Sequence, residues 1–242
     1  MTGFRWVLVA GLLSAGFVAG AAETLPAEVS AAFDQAVMVE DAEEFAGSYT
    51  SVTASMVQKP NGKSRHETEM VIGVERSADG AARRKLVKLI RDGEDLAEKH
   101  REDIEASDDR SPGDEDEGDG LDFVAPWGED IDRYVFDPPS TQGSKVIQSF
   151  RPDPEQDDDV GLASGQLSWH RETLDPISAS LEVVKPPKPL KSMRVLLEFE
   201  RRGGVVYVTR MVTDGLASVL LMKREFHVDV HWTDIEPRQA ES

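Results

Sequence analysis

The stretch REFHVDVHW, Arg224 to Trp232, alternates two kinds of side chain. Phe226, Val228, Val230 and Trp232 fall on one parity, and His227, Asp229 and His231 on the other. In an extended strand successive side chains point to opposite faces, so one face would be apolar and the other would carry His-Asp-His. The polar face has two readings. Histidine and aspartate suit zinc or another transition metal, and same-face residues two apart can converge on one ion. A sheet that covers a core on one side only gives the same alternation, with its polar face simply wet. No third His or Cys can be placed beside the set, so the segment is read as the last long strand, with metal binding by His227, Asp229 and His231 kept as the alternative. Phe226 and Trp232 then face a core or a ligand cavity.

Working outward, short apolar or alternating runs repeat between turn signals. MRVLLEFER (193–201) meets RGG, VVYVTRMVT (205–213) meets Asp214-Gly215, and LASVLLMKREFHVDVHW (216–232) follows. Upstream, GQLSWHRETLDPISASLEVV (165–184) reads as two strands joined near Leu174-Asp175-Pro176. KPPKPLK (185–191) is a stiff extended connector, because proline fixes its own backbone and restricts the residue before it. Toward the amino end, YTSVTASMVQK, HETEMVIGVERS and RRKLVKLIR are strands separated by PNGK and ADG and followed by DGED. Strand, tight turn, strand points to an antiparallel meander. Eight or nine strands with close turns make one large antiparallel sheet in a mainly β, α+β fold, with one or two helices over a face. One helix is expected from Pro26 to a stop at Gly47, on the spacing of Val29, Phe33, Ala36 and Val37, and a short one in EDLAEKHREDIEA (94–106).

Composition narrows the functional classes. The net charge of -19 argues against nucleic acid and favours a basic protein partner or divalent cations. At the amino end, Arg5 precedes an apolar run from Trp6 to Ala19 and the small-residue pattern Ala19-Gly20-Ala21. That layout is a secretory signal peptide over residues 1–21, the rival being an uncleaved anchor. Loss of the segment removes one Arg and no acid and moves the charge to -20. The chain has no cysteine, which excludes disulfides, thiol chemistry and a lipid-modified cysteine. An exported, periplasmic protein of one domain (22–242), not integral to the membrane once cleaved, is the expectation. Residues 107–120, SDDRSPGDEDEGDG, carry like charge and nothing apolar, so a disordered insert is expected there. As a calcium loop counted from Asp114 the register fails, with Gly118 at the fifth position and Ala125 at the twelfth.

Catalytic signatures are scarce. GLASG (161–165) misses the nucleophile elbow because Ser164 directly precedes the glycine, and no P-loop, dinucleotide fingerprint or HExxH helix occurs. Trp127 and Trp169 are large groups near loop or strand boundaries that could line a ligand cavity or serve as core. No cofactor is implied.

Three segments carry a family resemblance: LIRDGEDL (89–96), SWHRETLDPISASLEV (168–183) and FERRGGVVYVTRMVTDG (199–215). With the signal peptide and first helix, their order resembles the LolA-like superfamily of bacterial periplasmic proteins, which includes lipoprotein carriers and RseB-type sensors. The resemblance implies an incomplete barrel closed by helices whose apolar concavity holds acyl chains. The acidic insert and the proline connector depart from a dedicated carrier. The expectation is a non-catalytic binder of lipid or of a lipoprotein acyl chain. An envelope scaffold docking a basic partner and a hydrolase with a site invisible in sequence are the alternatives.

Overall fold

A computed structural model describes residues 24–39, 46–58, 64–76, 82–105, 124–155, 161–219 and 222–237. Thirteen strands join in one sheet that is not closed into a barrel. In chain order they are β1 (Val37–Met38), β2 (Ala46–Gln58), β3 (Arg65–Arg76), β4 (Ala82–Arg91), β5 (Glu94–Asp95), β6 (Tyr134–Phe136), β7 (Ser140–Gln142), β8 (Lys145–Pro152), β9 (Ala163–His170), β10 (Pro176–Val183), β11 (Leu190–Arg202), β12 (Val205–Val219) and β13 (Met222–Pro237). The main path runs β5-β4-β3-β2-β13-β12-β11-β10-β9-β8-β6, all antiparallel. β7 pairs with β8, and β1 lies parallel to β12. Two sequential meanders therefore flank β13, which pairs with β2 on one side and β12 on the other.

Residues opposite one another in such a ladder share a face. One row crosses nine strands as Gln148, Leu167, Ala179, Leu197, Met211, Val230, Thr53, Met70 and Leu89. This is the core face. The next row, Leu196, Val212, Asp229, Ala54, Glu69 and Ile90, belongs to the other face and carries the ion pairs. The alternation read in REFHVDVHW is thus real: Val230 and Trp232 are buried, while His231 is exposed.

Two α-helices cover the core face. Helix α1 (Ala27–Asp34) buries Val29 and Phe33 in the main core, which also holds Phe136, Phe150, Leu181, Val195 and Phe199. Helix α2 (Ala97–Glu105) closes a satellite core of Leu86, Leu89 and Ala97, with Met70, Ile72 and Ile104 against it. The 3-10 helix Gly128–Arg133 is tied to α1 by Gly128 N–H donating to Ser30 Oγ at 3.1 Å. Gly128 has a φ of +67°, a conformation that favours glycine.

Three expectations change. The first helix does not reach Gly47: it ends at Asp34, and Val37-Met38 pair with Tyr207-Val208 instead, since these side chains gain more from a sheet edge than from a thin helical stripe. Gly47 lies inside β2. Asp214-Gly215 is not a turn, because β12 runs straight through it to Val219 and LASV belongs to β12 rather than to the final strand. The physical reason is Phe226, opposite Gly215: a Cβ there would come within 2.9 Å of three of its ring atoms. The glycine makes room for an aromatic side chain instead of turning the chain. The strand count exceeds eight or nine because the pieces β1, β5, β6 and β7 are only two or three residues long. The insert at 107–120 and the turns PNGK and ADG lie outside the described residues.

Candidate functional site

His227, Asp229 and His231 lie on the face of β13 opposite to Val230 and Trp232. Arg210 stands opposite His231 on β12 and reaches along the face to Asp229, donating from Nε at 3.0 Å and Nη2 at 2.8 Å. Its Nη1 lies 3.4 Å from Glu198 on the strand beyond. The guanidinium holds the Asp229 carboxyl below the usual carboxylate range, and Asp229 in turn raises Arg210. His227 is engaged by its own cross-strand neighbour, with Nδ1 2.8 Å from Asp214 Oδ1. Each member of the set therefore has a separate setting: Asp229 is neutralised by a fork of two donors, His227 faces a different carboxylate, and His231 faces water. An ion at Asp229 would have to displace Arg210. Among the described residues no cluster of three or more His, Asp or Glu is assembled to hold a metal. Arg210 and Asp214 are the partners on this face that sequence reading missed. They lie 19 and 13 residues from their partners, and only the β12–β13 register reveals them.

The four aromatic candidates also separate. Trp169 on β9 and Trp232 on β13 are 3% and 2% exposed and belong to the main core. Trp127 stacks on Phe33 with ring centroids 5.2 Å apart, and Phe33 meets Phe199 edge-on at 5.3 Å. That contact fastens the 3-10 helix region to α1. Phe226 alone of the four stands half-buried on the sheet, over Gly215.

What the geometry adds is a strip of the core face between the two helices. Strands β2, β11, β12 and β13 are 13 to 16 residues long, against eight for each of β8, β9 and β10, so they overrun the part that α1 covers. Beyond it Val195 and Met193 are still buried. The rows that continue from them, Thr213, Val228, Ser55 and Thr68, then Gly215, Phe226 and Val57, are all half-buried. Met211 and Met70 stand at the inner end of the strip, again half-buried. Large apolar groups alternate there with Ser, Thr and Gly, which leave room between them. Methionine adapts its shape to an irregular neighbour. The carboxylates whose pKa is displaced sit in exposed or partly exposed pairs: Asp92 is lowered by His66, Asp175 by Arg201 and Asp229 by Arg210. Burial pushes the Tyr134 and Tyr207 phenols up, both within the main core.

Elsewhere there are open clefts. One, about 390 Å³, has bare Gly73 as part of its floor, with Thr50, Lys85, Glu75 and Asp234 around it. Another, about 400 Å³, runs between α1 and β1, beside Ala31, Ala32, Val37 and Val206.

No family model and no curated protein matches this chain. Among solved structures it is similar to a DUF1329 family protein from Desulfovibrio piger ATCC 29098, at 11% identity and TM-score 0.34 over 89% of this chain and 92% of that one. It is also similar to a domain from Vibrio parahaemolyticus described as an outer membrane lipoprotein-sorting protein, at 8% identity and TM-score 0.34 over 89% and 93%. A third is the MucA/MucB complex of Pseudomonas aeruginosa, at 10% identity and TM-score 0.23 over 88% and 100%.

Proposed function

We propose that this protein is a non-catalytic binder of apolar chains, taking the acyl part of a lipid or lipoprotein on the open strip of its core face. The observation that carries this reading is the half-covered continuation of an otherwise buried apolar face, between α1 and α2. Each methylene withdrawn from water there contributes about 0.8 kcal/mol, so a long acyl chain could be held without any charged contact. From Val195 to Thr68 and from Met193 to Val57, the polar side chains of these rows among the described residues are the hydroxyls of Thr213, Ser55 and Thr68, set among apolar groups, an arrangement suited to holding an apolar chain. No helix among the described residues is long and apolar enough to cross a membrane. That is compatible with the exported, periplasmic setting in which such a carrier would work.

The test is direct. Organic extracts of the purified chain, analysed by mass spectrometry, should contain acyl species, and a fluorescent fatty acid should bind the delipidated protein saturably. Ser55→Trp, which fills the strip opposite Val228 and Thr68, should weaken that binding at least tenfold while the melting curve stays close to the parent's. Clean extracts together with non-saturable fluorescence would refute the proposal, as would unaltered binding by the folded Ser55→Trp protein.

A further inference from the structure

The amino-terminal meander ends in a strand unlike the rest of this acidic chain. β4, ARRKLVKLIR, carries Arg83, Arg84, Lys85, Lys88 and Arg91 and no acid. Among the described residues its outer side is paired only at Ile90 and Arg91, by the two residues of β5. From Arg83 to Val87 no strand lies on that side among the described residues, leaving about 17 Å of edge at 3.3–3.4 Å per residue. The Leu86 N–H is met by a side chain, Glu105 Oε1 of α2 at 3.1 Å, in the place where a neighbouring strand would offer a carbonyl. An open cleft of about 470 Å³ follows this edge, bounded by Arg84, Lys85, Val87 and, from α2, Arg101 and Glu105.

Charge and bulges on an edge strand commonly serve to discourage pairing. β4 has both, because its register with β3 shifts between Val71 and Ile72 and leaves Val87 unmatched. Yet the residue pushed out is aliphatic: Val87 is 57% exposed, more than Val184 at 43%. Val87 thus offers an incoming segment an apolar contact beside the cations of the edge. Arg83 and Lys85 are exposed, and no ion pair engages either among the described residues. Lys88, by contrast, is held by Glu69 at 2.7 Å. The overall negative charge opposes an acidic partner at long range, but at physiological salt it is screened beyond about 8 Å. Along the edge and its cleft Arg83, Arg84, Lys85 and Arg101 outnumber Glu75, which stands cross-strand from Arg83, and Glu105.

We propose that the outer edge of β4, Arg83 to Val87, receives an extended acidic segment of a partner protein as an added strand. Main-chain hydrogen bonds supply the register, and the two-residue repeat supplies the selection. Arg83 and Lys85 project to one face and Arg84 and Leu86 to the other, so the matching segment carries an acid at every second residue and apolar groups between them. The Glu105 carboxylate is a resident placeholder that the incoming backbone displaces from Leu86.

The experiment uses the full chain and a labelled eight-residue peptide of alternating Glu and Val, read by fluorescence anisotropy over a salt series. Saturable binding is expected, weakening at least tenfold in Arg83→Glu/Lys85→Glu and at least tenfold when a central residue of the peptide is Pro. Glu105→Ala should bind several-fold more tightly. Because Arg83 and Lys85 lie outside the core, an unchanged melting curve should certify that the double variant is folded. Equal binding by the Pro-containing peptide would reduce the site to a charge patch and overturn strand addition. Equal binding by the double variant, or none by the parent at low salt, would overturn the site itself.

Discussion

Gly165 on β9 offers the sharpest test of the sheet. It pairs with Leu181 and faces Phe150 across the other ladder. A Cβ added there would lie 2.9 Å from the Ser180 carbonyl carbon, closer still to its oxygen, and 3.2 Å from Phe150 Cζ. Carbon pairs are most comfortable at about 3.5–4.0 Å, so relief requires β9 and β10 to separate by the better part of an ångström. The obstacle is backbone inside a ladder, with no flexible side-chain tip to swing away. Overpacking costs about 1–3 kcal/mol, and loosening two ladder hydrogen bonds adds roughly 1 kcal/mol each. Gly165→Ala should therefore cost about 3–5 kcal/mol, out of a total stability on the order of 5–15 kcal/mol. For a chain of this size that lowers Tm by roughly 10 °C. The matched control is Gly73→Ala, where an added Cβ meets nothing within 4 Å. It should be neutral or stabilising by about 0.4–1 kcal/mol through reduced freedom of the unfolded chain. Urea denaturation followed by tryptophan fluorescence measures both. If Gly165→Ala falls within about 1 kcal/mol of Gly73→Ala, the β9–β10 register described here is wrong.

Two further outcomes follow from buried and paired groups. Tyr207 Oη is buried without a hydrogen-bond partner among the described residues, so Tyr207→Phe should be neutral or stabilising by up to about 1 kcal/mol; a loss larger than that in thermal melts would show that the hydroxyl is satisfied after all. Asp229, with its pKa lowered chiefly by the Arg210 hydrogen bonds, contributes stability that is present above the unfolded value near 3.9 and is lost as pH falls through the lowered one. Arg210→Ala should remove about 1 kcal/mol at pH 7 and little at pH 2, and a penalty that did not shrink with acid would contradict the pairing.

The parts of this structure legible in the sequence were those encoded by local alternation and by strong turn chemistry. REFHVDVHW declared its two faces, RGG its hairpin and LDP the join between β9 and β10, because each signal lies within a few residues of its effect. Asp214-Gly215 misled for the converse reason. What cancels its turn tendency is Phe226, eleven positions on, and only the register brings the two together. Val37-Met38 misled likewise, since their partners are Tyr207 and Val208, most of the chain away. The candidate metal face showed its residues but not Arg210, and the aromatic candidates showed their size but not which of them the helices would cover. The half-covered strip was not legible at all. It arises from strands of unequal length crossing one face, which is a property of the assembled sheet.

The position of β13 bears on how the molecule comes together. The run β2 to β5 and the run β6 to β12 are each built from neighbours in sequence, so each can form soon after its residues are made. Joining them requires β13 to pair with β2 across some 180 positions, the slow kind of contact because a long loop must close before any pairing is gained. The strand that does so is the last of the thirteen in sequence. Until it arrives, β2 and β12 each present a long bare edge, the feature that most invites association with other chains. Handling of the nascent protein is therefore governed by its final strand, and any helper that guards the unfinished chain has two edges to cover.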